Sequence, residues 1–499
     1  MVVVAAIPLY LLLGRHVWFG ADDWDFLADR SATSLHDLFR PHNVHWTTLP
    51  ILAYRAVFNV FGLHHYTVFE LLVLLSHLTA AVLLWLIIRR LGVRPWIAML
   101  VASVFVLFGA GYRDIIYDFQ ITYNGALVFG LAQLLLADHD GPVDRRDYLA
   151  IACGVLGLMC SGLAITMVFI VGLVMLLRRG WRVALLQTAP LAAIYGVWWL
   201  AIGRQSYDTT TSSFTETVQF VWRAITGTFE NIGPLPATGA FMMLVIALGL
   251  AVAWHRGSPD RTTTSAQRLA VPVATLAGVV VFAVIAGYGR VALFGIETAD
   301  SSRYWHIILA LSLPALAVAI DAFTNVWRWA AVVIGAVMVI GIPTNLRTVS
   351  NATFGNKDLI IAMANAPLAR QVPGDDVPDR IDAKFVTVRW LVENVDNGRI
   401  PTSRSSGVAA ANATISLSLN QDKASAPSSC RLVTRPVDRH FAVGDVLQWR
   451  GGKLRISLLT GGQSTGSVEY GPYNGYNKLT TVAPIDVRIS PLGPTFLCR

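Results

Sequence analysis

Charge is scarce in this chain. Only 14% of its 499 residues are Asp, Glu, Lys or Arg, against about 25% in ordinary soluble domains. That excludes a water-soluble enzyme, and the apolar excess excludes a disordered tail. Lysine is scarcer still: there are five (Lys357, Lys384, Lys423, Lys453, Lys478), and none precedes residue 350. Four cysteines are too few for a disulfide scaffold. No Walker loop, dinucleotide glycine motif or zinc-ligand spacing occurs, so chemistry driven by ATP or NAD has no support. What abounds is apolar, with 54% hydrophobic residues and a mean hydropathy of +0.54. The apolar runs are continuous rather than alternating, which argues against an outer-membrane barrel and for an α-helical polytopic membrane protein. The net charge of +8 does not imply nucleic acid. Its arginines cluster at the ends of apolar runs, where membrane topology and anionic headgroups account for them.

Runs long enough to cross a bilayer lie at about 2–19, 67–88, 95–111, 121–137, 148–161, 163–177, 182–202, 232–254, 269–288, 304–320 and 329–343, so about 11 transmembrane helices are expected. The stretch from Tyr148 to Leu177 is too long for one simple crossing and is split at Ser161-Gly162 into a tight hairpin. With a cytoplasmic N-terminus, each short inner loop is basic: Arg89, Arg90 and Arg94; Arg145 and Arg146; Arg178, Arg179 and Arg182; Arg256, Arg261 and Arg268; then Arg328. An odd number of spans then exports the C-terminal part from a multi-pass plasma (inner) membrane protein. The first run lacks a basic flank and a clear small-x-small site, so it is taken as a span and not a cleaved signal.

Lysine usage and Gly/Ser/Thr content divide the chain into a membrane domain at 1–343, a helical connector at 344–403 and an exported β-rich domain at 404–499. Short helices are expected at 357–371 and 383–396. After them, runs such as Lys453–Leu459 and Ile485–Ile489 predict a small β-sandwich. Cys430 and Cys498 bracket that region in an oxidising compartment and are expected to pair. Cys153 and Cys160 share a span and are expected to be small packing residues. The tyrosine-rich loop from Tyr470 to Tyr476 either stacks on sugars or packs its own rings as an ordinary turn.

Ionisable side chains near membrane depth are costly and tend to be functional or paired. Asp22, Asp23 and Asp25 gather in the first external loop, Asp114 and Asp118 in the second. Acids from two loops supply a general base or hard oxygen ligands for Mg or Mn, or else cap helices on a solvated rim. His42 and His45 either assist a metal or phosphate or anchor the interfacial segment at 47–63. Glu70 and His77 share a helix face and are expected to form a buried pair. Arg303, with Tyr304 beside it, stands at the external mouth of a late span; Arg290, Arg204 and Arg113 are its neighbours in the topology. Guanidinium groups there either bind phosphate by bidentate geometry or snorkel to headgroups.

The order of parts resembles the GT-C superfamily of integral membrane glycosyltransferases, near the polyprenyl-phosphate-sugar-dependent mannosyl- and arabinosyltransferase type. Asp22-Asp23-Trp24-Asp25-Phe26 is similar to the Asp-Glu-x-x-Tyr segment after the first span, with Phe26 in place of tyrosine. His42 to Pro50 falls where that family has a His-Pro-Pro-Leu turn, echoed only by the histidine and Leu49-Pro50. Gly157 to Trp181 resembles its tight helical hairpin ending in arginines, with Cys160-Ser161-Gly162 lacking the usual lysine. Ser302-Arg303-Tyr304 resembles its late arginine motif. The resemblance covers about residues 1–343. It implies an inverting transfer from a polyprenyl-phosphate sugar donor to a glycan, lipid or protein acceptor on the external face. In it Asp22 would be the base, Asp23 an assistant, Asp114 or Asp118 the second-loop acid, and Arg303 the group that stabilises the leaving phosphate. A lipid-linked glycan transporter or flippase, or a polysaccharide polymerase or ligase, is the rival class; the transporter would predict internal repeats, and none is evident.

Overall fold

The computed structural model describes residues 1–206, 211–255, 264–373, 385–402, 406–424, 429–471 and 476–498. Arg256, Arg261, Lys384 and residues 472–475 of the tyrosine-rich loop lie outside the described residues. The helices are α1 (Val2–Leu13), α2 (Leu35–Phe39), α3 (Thr48–Phe61), α4 (Tyr66–Arg90), α5 (Pro95–Val106), α6 (Arg113–Ile116), α7 (Ile121–Ala137), α8 (Arg145–Leu158), α9 (Leu163–Arg178), α10 (Trp181–Ala201), α11 (Phe214–Glu230), α12 (Thr238–His255), α13 (Ser265–Arg268), α14 (Ala270–Phe294), α15 (Ser302–Thr324), α16 (Ala330–Ile340), α17 (Ile342–Ser350), α18 (Lys357–Asn365), α19 (Val388–Asp396) and α20 (Gly407–Ser418). Among the described residues, 7 stretches are helical, long and apolar enough to cross a membrane: 66–90, 118–137, 181–201, 238–255, 270–294, 302–324 and 330–350.

Two compact units emerge. The first comprises Met1–His16, Ser34–Leu52 and Phe69–Ala352, and the regular elements among its described residues are helices. The long apolar stretch after Arg145 breaks where the Ser161-Gly162 dipeptide predicts: α8 ends at Leu158 and α9 starts at Leu163. A reciprocal cap starts α8. The Asp144 carboxylate accepts from the Arg146 amide at 2.8 Å, and Asp147 accepts from the Asp144 amide at 3.0 Å. Two expected spans are shorter than their apolar runs. The helix in the 2–19 run stops at Leu13, where the Gly14 amide closes on the Tyr10 carbonyl at 2.7 Å. The helix in the 95–111 run stops at Val106 and gives way to a 3-10 turn at Gly109–Gly111.

The second unit comprises Val17–Thr33, Ala53–Val68 and Thr353–Arg499. The two units meet along the chain at Ala352 and Thr353. Helical structure continues through α17, whose Asn345 accepts from the Ala110 amide at 2.7 Å and donates to the Asn231 carbonyl at 3.0 Å, within the first unit. Two segments of the loop that follows α1, Val17–Thr33 and Ala53–Val68, group with the C-terminal part, and their aromatic residues pack there. Trp24 meets the Trp390 ring edge-on at 6.3 Å, and Phe58 stacks on it at 5.7 Å. Gly62, at φ +57, sits where a Cβ would collide with the Arg399 backbone.

Residues after 404 do not all read as strand. Ser406 caps the alanine-rich α20, accepting from the Ala409 amide at 3.2 Å, and the sheets begin only at Leu419. A five-stranded sheet has the order β1 (Leu419–Ala424), β7 (Tyr476–Thr481), β4 (Val446–Gly451), β9 (Thr495–Cys498), β2 (Cys430–Val433). A four-stranded sheet has the order β3 (Val437–Phe441), β8 (Ile485–Pro491), β5 (Leu454–Thr460), β6 (Gln463–Tyr470). All the pairings are antiparallel. Leu447, Trp449 and Leu479 from one sheet and Leu454, Ile456 and Val487 from the other share one core, as the alternating pattern requires. Cys430 and Cys498 face each other in register on β2 and β9 and are disulfide-bonded. Cys153 and Cys160 are free; Cys160 packs its sulfur against Gly125.

Candidate functional site

The first unit gathers a polar cluster around the first turn of α7. Asp114 lies on the short α6 and is fully buried, and neither carboxylate oxygen has a hydrogen-bond partner. Burial pushes this carboxyl well above the usual range, against the opposing pull of Arg303 and Arg113. Its backbone is pinned by Asn124, whose side-chain amide donates to the Asp114 carbonyl at 2.5 Å. Arg303, in the first turn of α15, lays its guanidinium over the Tyr304 ring at 5.1 Å, and its Nε has no hydrogen-bond partner. The Tyr304 ring is held edge-on by Phe220 at 5.6 Å and Phe282 at 5.9 Å. Tyr123, on α7, lies within electrostatic reach of Arg303, Tyr304, Arg290 and Asp114.

His45 joins the same cluster: its ring meets Tyr123 edge-on at 6.5 Å, and the Gly162 amide donates to its Nδ1 at 3.4 Å. His42 packs on Phe119 at 5.2 Å. The two histidines exchange backbone hydrogen bonds at 3.0 and 2.9 Å across a turn in which Asn43 takes φ +52. Asp114, Arg303, Tyr304, Arg290 and His45 are thus neighbours of one residue, Tyr123, which the sequence does not mark because it is buried in an apolar run without a motif. Arg204 does not join them; it is exposed on the 3-10 turn Gly203–Ser206.

Two expectations change. Asp118 is buried with Glu70 among its charged neighbours, whereas Arg303 and Arg113 act on Asp114. The two second-loop acids therefore sit in different environments. Glu70 and His77 do not pair either. His77 Nδ1 is hydrogen-bonded to His306 Nε2 at 2.9 Å, and Glu70 packs its carboxylate against Gly14.

The first-loop acids belong to the second unit. Asp23 is fully buried and accepts from the Gly20 amide at 2.9 Å and the Tyr54 hydroxyl at 2.8 Å. Asp25 opens a π-helical turn, Asp25–Asp29, and forms a two-bond pair with Arg30, both at 2.9 Å. Asp22 is the partly exposed member of the three. Asp23 and Asp25 hold the loop's shape, while Asp22 is reachable from solvent.

Metal binding fits these groups poorly. Two guanidinium groups near Asp114 disfavour a divalent cation there. Among the described residues, the one three-ligand cluster is His139, Asp144 and Asp147, around the start of α8. Its carboxylates are already engaged by Arg146 at 2.8 Å and Arg179 at 2.5 Å. The Arg146 contact holds the Asp144 carboxyl down at about 2. Compared with protein-family models and with curated proteins, the chain matches no family and no relative.

Proposed function

We propose that the chain is a membrane glycosyltransferase that moves a sugar from a polyprenyl-phosphate donor to an extracytoplasmic glycan, lipid or protein acceptor, with inversion. The proposal includes about 11 spans, the seven long apolar helices together with the shorter α1, α5, α8 and α9, and lays α3 in the membrane interface. It also places the N-terminus in the cytoplasm and the sandwich outside, as the basic loops favour. One observation carries the chemistry: Asp114 is fully buried with neither carboxylate oxygen hydrogen-bonded, within electrostatic reach of Arg303. A neutral carboxyl does not cancel the guanidinium, so the positive charge of Arg303 is left for a phosphate.

In the transfer, the Asp22 carboxylate takes the proton from the acceptor hydroxyl. The oxygen attacks the anomeric carbon from the face opposite the phosphate. The bond between that carbon and the phosphate oxygen breaks, and the lipid phosphate leaves with the electron pair. Arg303 stabilises the charge that develops on it, and Arg290 adds to the local positive potential. Asp23, fixed by Tyr54, holds the loop that presents Asp22.

The experiment is sugar transfer by purified, detergent-solubilised protein from a panel of polyprenyl-phosphate sugars. Asp22→Asn is expected to lower turnover by roughly 10²–10⁴-fold, the share that general-base catalysis supplies. Arg303→Ala is expected to impair donor use, and Arg303→Lys to restore it only in part, because an ammonium lacks the guanidinium fork. Near-normal turnover in both Asp22→Asn and Arg303→Ala would overturn the residue roles. A wild type inactive with every donor, yet able to move lipid-linked glycans across proteoliposomes, would return the transporter class.

A further inference from the structure

A groove runs along the outer face of the first unit between α9 and α10. It encloses about 600 Å³ and is lined by Ile165, Phe169, Leu176, Trp181 and Leu185, with Thr188 as its polar contribution. At Gly172 the two helices approach closely: a Cβ there would lie 2.6 Å from the Thr188 methyl. From Ile165 to Leu176 the helix rises about 17 Å at ~1.5 Å per residue, a little over half of a ~30 Å hydrocarbon core. The groove thus has the length of one leaflet, and its polar mouth is at the Trp181 end.

That mouth carries a cation without a protein counter-ion. Of the three arginines at the α9–α10 turn, Arg178 is paired with Asp138 at 2.6 Å and Arg179 with Asp147 at 2.5 Å. Arg182 is exposed, lies over the Trp181 ring at 5.5 Å and makes no ion pair among the described residues. Trp181 therefore both lines the groove and seats the guanidinium. An indole and an arginine at the end of an apolar slot one leaflet long match the build of a phospholipid, with acyl chain below and phosphate above.

We propose that this groove is a binding site for an anionic phospholipid, its acyl chain between α9 and α10 and its phosphate on Arg182. The site is separate from the Tyr123 cluster and independent of the transferase proposal. A zwitterionic lipid fills the same slot through its chain, but its headgroup carries a compensating ammonium that meets Arg182 unfavourably. The preference therefore resides in the headgroup and the occupancy in the slot.

The test is native mass spectrometry of full-length protein released from nanodiscs containing equal amounts of phosphatidylglycerol and phosphatidylcholine with identical acyl chains. Wild type is expected to retain phosphatidylglycerol preferentially. Arg182→Gln is expected to reduce that preference by about fivefold, the effect of ~1 kcal/mol per basic residue at a lipid surface. Ala184→Leu, which fills the slot from its floor, is expected to lower retention of both lipids. Thermal melts of each variant in detergent separate lost binding from lost folding. Equal retention of the two lipids by wild type, or an unchanged preference in correctly folded Arg182→Gln, would overturn the proposal.

Discussion

Asp25 and Arg30 offer the sharpest test of how the loop after α1 is held. Both side chains are only 2% exposed, and the guanidinium meets the carboxylate through two bonds of 2.9 Å. Asp25→Asn keeps the shape but removes the negative charge that answers the buried guanidinium through these two bonds. Breaking one side of a buried pair costs about 3–5 kcal/mol. In a unit of this size each kcal/mol shifts the melting temperature by about 2–4 °C, so a fall of roughly 6–20 °C is expected in the transition of the second unit. Tryptophan fluorescence reports it, since Trp24 and Trp390 are in contact there. Asp25→Leu combined with Arg30→Met removes both charges and is expected to recover most of the loss, because two apolar side chains need no partner. A shift of under ~1 °C in Asp25→Asn, or a double variant no better than the single, would refute a buried pair. Asp25→Asn is consequently unsuitable as a silent control for Asp22→Asn.

Three further outcomes follow from the structure. Burial raises the Asp114 carboxyl, so its contribution to stability is present below the unfolded value near ~3.9 and is lost as pH rises toward the folded one. Asp114→Asn is therefore expected to melt higher than wild type at about pH 8 and no higher near pH 4; a constant difference across that range would count against the buried, unpaired carboxyl. Replacing Cys430 and Cys498 with serine opens a loop of sequence separation 68 and is expected to destabilise the sandwich by about 4 kcal/mol, read as a lower denaturant midpoint; identical midpoints with and without reductant would refute the bond. His77→Phe leaves the buried His306 Nε2 without its 2.9 Å partner and is expected to cost about 1–3 kcal/mol; a stability unchanged within error would show that the pair contributes nothing.

Much of the helical layout was legible in the sequence because hydrophobic runs are local. The break at Ser161-Gly162 and the strands at 454–460 and 485–491 follow from residues within one element or its flanking turn. The signal weakened where an apolar residue packs sideways instead of extending a span. Trp18 and Phe19 continue the first apolar run, yet α1 ends at Leu13 and both rings pack within the second unit. Likewise, α20 reads as strand by its small and β-branched residues, while its Ser406 cap and alanine content favour helix.

The sequence alone determined that this is an apolar, helix-rich chain with an acid-bearing first loop, a late-span arginine and a C-terminal β region, since composition and period are properties of neighbours along the chain. Only the tertiary structure decided what each ionisable group does. Asp25 is tied to Arg30, His77 to a histidine 229 residues away, Asp118 lies near Glu70, and Asp114 faces Arg303 beside Tyr123. The physical reason is that charge and hydrogen-bond energies depend on separation and burial in space, and neither can be read from spacing along a chain whose partners come from different helices.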